Sequence, residues 1–84
     1  MKHNIEILPL AGHYVVVAQN KETGKTEQVF NLNESGAEML TLFKEGHDAA
    51  AVARIMADRY GVDLSVMSCD VEAFASNLKQ KGLQ

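Results

Sequence analysis

The apolar positions change period along the chain. Through the first third they come in short β-branched runs, and from Asn33 onward they recur at helical spacing. Residues 5–8 and 14–18 read as two strands, each followed by a polar break, with Pro9 expected in the connection between them, where a missing N–H does least harm. Asn20, Lys21, Glu22, Thr23, Gly24 and Lys25 make a polar loop, and Gly24 can take the positive φ of a four- or five-residue hairpin turn. A third strand follows over residues 26–32, with Gln28, Phe30 and Leu32 on one face. Tyr14, Val16 and Phe30 alternate with Val15, Val17 and Val29, so both faces of the second strand are apolar although only one can meet the rest of the core.

Asn33 is a natural N-cap, with Glu34 in the favourable first turn. Ala37, Met39, Leu40, Leu42 and Phe43 form an apolar stripe before Gly46. A second helix is expected from about Asp48, burying Val52, Ile55, Met56 and Tyr60 before Gly61. Asp63 is placed to cap a third, whose Met67, Val71, Phe74 and Leu78 repeat at core spacing before Gly82. Gly36, in the first turn of the first helix, costs helix stability and is expected to let the helix start lie close to the sheet. Strands in a run followed by helices in a run define an α+β class, a three-stranded antiparallel sheet with three helices on one face.

At 84 residues the chain holds one core, and its 46% hydrophobic and 23% charged residues suit a globular domain. No apolar run approaches the roughly 20 residues a membrane span needs. Residues 1–6 carry charge with no apolar stretch behind them, so no signal peptide is expected. Lys and Arg number 8 against 11 Asp and Glu, a net charge of −3, a poor balance for gripping phosphate backbones. The one cysteine, Cys69, excludes an internal disulfide and fits a cytoplasmic location.

Catalytic chemistry finds no constellation. His3, His13 and His47 stand apart from one another and from metal-ligand spacings, His47 and Asp48 aside, and read as surface histidines. Cys69 has acidic Asp70 beside it and no basic neighbour to activate it, and reads as a small half-buried helix residue. The glycines are dispersed, so no phosphate-cradling loop exists. No catalytic residue, metal or cofactor is expected. The second and third helices with their tight joint resemble a helix-turn-helix, making a DNA-binding regulator the alternative reading. Asp70 and Glu72 on the third helix, and the lack of any Arg there, oppose it. The third strand is more suggestive. In a meander it is an edge with unpaired backbone groups, which Lys25 and Glu27 either guard or leave open to a foreign strand.

An ordered set of residues carries a family resemblance. Phe30-Asn31-Leu32-Asn33-Glu34-Ser35-Gly36-Ala37 opens the first helix, and Gly46, Ala53-Arg54-Ile55 and Tyr60-Gly61-Val62-Asp63 follow. Asp70-Val71, Phe74, Leu78 and Lys81-Gly82-Leu83 complete it. In order and spacing this resembles PqqD-like proteins, the recognition elements of ribosomally made, later modified peptides. Ala49-Ala50-Ala51 departs from the family's usual start of the second helix.

The resemblance implies one PqqD-like, winged-helix-like domain over residues 1–84, strands at about 4–32 and helices at about 34–81. It implies no catalysis. Such a domain is a peptide chaperone that binds the leader of a precursor peptide and presents it to a tailoring enzyme, in the founding case a radical SAM enzyme of PQQ biosynthesis. The leader is added as a strand beside the third strand, against the third helix. On this chain that implicates Thr26, Gln28, Val29, Phe30 and Asn31 on the strand, and Val66, Asp70, Ala73, Phe74 and Asn77 on the helix. Asp70 is expected to meet a basic or amide group of the leader, or nearby backbone. No nucleic acid or membrane partner is expected, and the chain is expected to be a monomer or a weak homodimer through its valine-rich sheet face.

Overall fold

A computed structural model describes residues 3–83, so Met1, Lys2 and Gln84, including the first two residues of the charged opening stretch, lie outside it. Three strands are followed by three helices: β1 (His3–Leu10), β2 (His13–Asn20), β3 (Thr26–Leu32), α1 (Glu34–Lys44), α2 (Ala49–Tyr60) and α3 (Leu64–Gln80). The sheet is antiparallel in the order β1-β2-β3, which makes β1 and β3 its two edges.

Both outer ends of the first two strands extend beyond the apolar runs. Pro9 lies inside β1, paired with Tyr14, and not in the connection. The connection is only Ala11-Gly12, with φ of 43° and 87°, the two positive values that a tight hairpin needs to match strand twist. Ala11 gave no turn signal in the sequence because a residue with a Cβ seldom takes that conformation.

The buried side of the sheet is set by Ile5 on β1 and by Val16 and Ala18 on β2. Phe30 and Leu32 on β3 pack against the same cluster, half-buried. Against them lie Met39, Leu40, Leu42 and Phe43 of α1, then Val52 and Met56 of α2, and Met67, Val71 and Leu78 of α3. The α2 stripe is rotated from expectation. Ala53 and Ala57 are buried, whereas Tyr60 is 44% exposed and donates its hydroxyl to Glu38 Oε1 at 2.8 Å. That bond gives the phenol a surface partner, so the ring need not be buried; it also raises the Tyr60 pKa.

Local capping follows the chemistry unevenly. Asn33 Oδ1 accepts from Gly36 N at 2.9 Å, and Asp48 Oδ1 from Ala51 N at 2.8 Å. Asp63 occupies the N-cap of α3 but makes no side-chain cap bond, contrary to expectation; its φ of −57° and ψ of 134° differ from the −82° and 173° of Asp48. At Gly36 an added Cβ would stand 3.1 Å from Asn33 Oδ1 and 3.3 Å from Leu32 Cδ2, so the helix start does lie close against the end of β3. Cys69 is exposed, and not half-buried as expected, because position 69 falls on the side of α3 away from its core stripe.

Two outcomes are expected in chemical denaturation. Asn33→Ala and Asp48→Ala should each lower stability by about 1 kcal/mol, while Asp63→Ala should change it by less than about 0.5 kcal/mol. Ala11→Asn, which tolerates positive φ better, should raise stability by about 0.5–1 kcal/mol.

Candidate functional site

The hairpin turn fixes how every backbone group in the sheet is aimed. In a two-residue hairpin the closing residues, here Leu10 and His13, form a hydrogen-bonded pair. His13, Val15 and Val17 therefore turn their N–H and C=O toward β1, and Tyr14, Val16 and Ala18 turn theirs toward β3. Asn20 continues the second set, donating its N–H to Lys25 O at 2.9 Å. Leu32, Phe30 and Gln28 are the respective partners of Tyr14, Val16 and Ala18 and face β2. Val29 and Asn31 thus direct their N–H and C=O off the free edge. On the opposite edge the same alternation aims the backbone of Ile5, Ile7 and Pro9 outward, and Pro9 has no N–H to offer.

Glu27 stands at an irregularity, because Ala18 pairs with Gln28 while Gln19 pairs with Thr26. This extra residue is a β-bulge. The Glu27 carboxylate does not project over the edge as a guard. It accepts from His3 Nε2 at 2.5 Å and from Asn20 Nδ2 at 3.3 Å, tying the bulge across the sheet. Those two hydrogen bonds, His3's first, hold its pKa below the ordinary 4.5. His3 is accordingly not a plain surface histidine: its side chain is 12% exposed.

The expected helix residues lie on α3. No Cα of α3 lies within 8 Å of a Cα of β3, so the helix does not pack on the strand. Val66, Asp70, Ala73 and Asn77 are all exposed and fall on one stripe beside the core stripe. Phe74, half-buried, stacks on Phe43 of α1 with ring centroids 6.3 Å apart. The strand residues divide by face. Gln28 and Phe30 point inward, whereas the side chains of Val29 and Asn31 lie on the outer face, where Val29 is 62% exposed. That outer face also carries Leu8 and Leu10, both exposed, and half-buried Val15 and Val17.

One residue absent from the expected set links the end of α3 to β3. Lys81, the C-cap of α3, accepts from Gln28 Nε2 through its backbone carbonyl and holds its ammonium 4.7 Å from the centre of the Phe30 ring. Lys81 follows Asn77 by four residues, so the sequence did carry the signal: it continues the stripe of Val66, Asp70, Ala73 and Asn77 by one more turn. Just beyond, Gly82 at φ 74° turns the chain back, and Leu83 is 1% exposed in the core.

Other concavities lie elsewhere. A groove of roughly 330 Å³ runs between α1 and the sheet, floored by Ile7, Tyr14 and Leu42 with Glu34 and Glu38 at its rim. Another of roughly 430 Å³ lies where Phe43 and Ala49 face Ala75 and Glu72. Among the described residues no three His, Cys, Asp or Glu side chains are grouped to hold a metal ion, and no helix is long and apolar enough to cross a membrane.

Three antiparallel strands followed by three helices define a winged-helix-like α+β fold. Residues 14–83 match the family described as Coenzyme PQQ synthesis protein D (PqqD), and the chain belongs to that family. Its fold is similar to that of TbiB1 in complex with the TbiA(beta) leader peptide, with a TM-score of 0.72 and 22% identity over 99% of this chain and 93% of that one. No curated protein sequence matches the chain.

The Glu27 geometry has a pH signature. Its folded-state pKa lies below the unfolded value, so its contribution to stability is complete above about pH 4.5 and is lost as pH falls through the folded-state pKa. A carboxyl titration by NMR should place the Glu27 midpoint below 4.5, His3→Ala should move it back toward 4.5, and Glu27→Gln should flatten the acid side of the stability profile.

Proposed function

We propose that this protein is a non-catalytic adaptor that binds the leader of a ribosomally made precursor peptide as an added strand along β3. It then presents that peptide to a tailoring enzyme, such as a radical SAM enzyme, in a pathway of the PQQ-biosynthesis kind. The observation that carries this reading is the asymmetry of the two edges. The β1 edge has Pro9 aimed outward, a common guard against pairing, whereas β3 offers the N–H and C=O of Val29 and Asn31, with no α3 backbone packed against them. Family membership and the leader-bound state of TbiB1 support the same reading.

Magnitudes divide the labour between backbone and side chains. Four backbone hydrogen bonds at about 1 kcal/mol each contribute about 4 kcal/mol, well short of the roughly 8 kcal/mol of a micromolar complex. Ordering the peptide costs more. Side-chain recognition must supply the remainder, and inward-facing leader residues would meet Gln28, Phe30 and the α3 wall. In that wall Val66 and Ala73 offer apolar contact, Phe74 lies beneath, Asn77 offers an amide, and Asp70 meets a basic or amide group of the leader. Thr26 extends the edge beyond the bulge. Asp70 and Glu72 would face phosphates in a DNA complex, which disfavours the regulator alternative.

The test is a pair of proline variants, read by amide-resolved NMR with the leader of a precursor peptide encoded beside the gene. Val29→Pro removes an outward N–H, and should abolish binding with modest loss of stability. Gln28→Pro removes a β2–β3 ladder bond, and should strongly destabilise the fold. Wild-type shifts should concentrate on residues 26–32 and 66–81. A Val29→Pro variant that folds and still binds would rule out strand addition. Shifts with duplex DNA and none with peptide would favour the regulator instead.

A further inference from the structure

We propose that Lys81 reads the charge of the incoming peptide, selecting an acidic side chain at the position opposite Phe30. The inference rests on strand addition at β3. Because Val29 and Asn31 aim their backbone groups outward, peptide residues bonded to them carry their side chains on the outer sheet face. The residue between those two is opposite Phe30 and points inward. Its Cβ must lie about 4.5–5.5 Å from that of Phe30. The Lys81 ammonium already stands 4.7 Å from the Phe30 ring centre, so that one peptide position is adjacent to both an aromatic face and a cation.

The backbone that carries this cation is held in place before any peptide arrives. Gln28 donates to the Lys81 carbonyl, Lys81 N bonds Asn77 O at 3.1 Å, and Leu83, two residues on, is anchored in the core. Little backbone freedom remains to be lost on binding. A glutamate suits the place best: its methylenes cover the ring while its carboxylate meets the ammonium. A lysine or arginine there would set like charges together over one ring. Glu27, the strand's own carboxylate, is engaged by His3 and Asn20, and does not compete for Lys81.

The test needs no natural ligand. Random 12-residue peptides displayed on phage would be selected against the full chain, and then against Lys81→Met and Lys81→Glu variants. Binders should be sorted by NMR for shifts at Val29 and Asn31, which identifies edge binding independently. Edge binders of the wild type should share an acidic residue at one position. Replacing it by Gln should weaken binding roughly tenfold, the loss expected of one charge-assisted bond. Lys81→Met should remove the preference while keeping edge binding, and Lys81→Glu should reverse it toward Lys or Arg. Edge binders with no acidic preference, or one unchanged in Lys81→Glu, would overturn the role of Lys81 and leave strand addition standing. Binders that never shift Val29 or Asn31 would overturn both.

Discussion

What β3 can offer a partner depends on which face of β2 is buried. Val16 and Ala18 are sealed against the helices, and Val15 and Val17 are left on the other side. A slip of one residue would exchange those sets. It would also exchange the backbone groups aimed at the free edge for those aimed at the ladder. The two-residue turn at Ala11-Gly12 holds the register, and it does so with an alanine in a conformation that costs it energy. A small local strain is therefore tolerated where it keeps the whole sheet, and the open edge, in phase.

That dependence explains where the sequence was legible and where it was not. β3 and the three helix starts were readable, because Asn33, Asp48 and the stripes of α1 and α3 are strong local signals. β2 was ambiguous. Tyr14, Val16 and Ala18 are no more apolar than Val15 and Val17, and only pairing with Ile5, Ile7 and Phe30 chooses between them. Pro9 misled for a related reason. A proline looks like a strand end until the pairing places its nitrogen on an outer edge, where it removes nothing from the ladder. On α2, Tyr60 satisfied the helical spacing but found its partner in Glu38 at the surface, and the small Ala53 and Ala57 took the buried places.

The candidate site was legible as two separate lists, one on a strand and one on a helix, but their junction was not. Periodicity places Val66, Asp70, Ala73 and Asn77 on one stripe, yet nothing in it says which element that stripe faces. The structure links the helix to the strand at one end, through Lys81, which continues the stripe and touches Gln28 and Phe30. Val29 and Asn31 change meaning as well. With outward side chains they serve the edge through their backbone, so their side-chain identity bears on the outer face and not on the inner wall.

The burial of Leu83 reaches into the kinetics of the site. The end of α3 beside β3 is pinned to the core, so encounter and docking need little rearrangement of the protein there. Association would then run at the ordinary rate for well-formed surfaces, on the order of 10⁵–10⁷ M⁻¹s⁻¹. Differences among peptides would appear chiefly in how long each one stays. For a carrier of the proposed kind, which hands its cargo to another protein, residence time is the quantity that matters, and the leucine buried beyond the last helix leaves that lifetime chiefly to the peptide's own side chains.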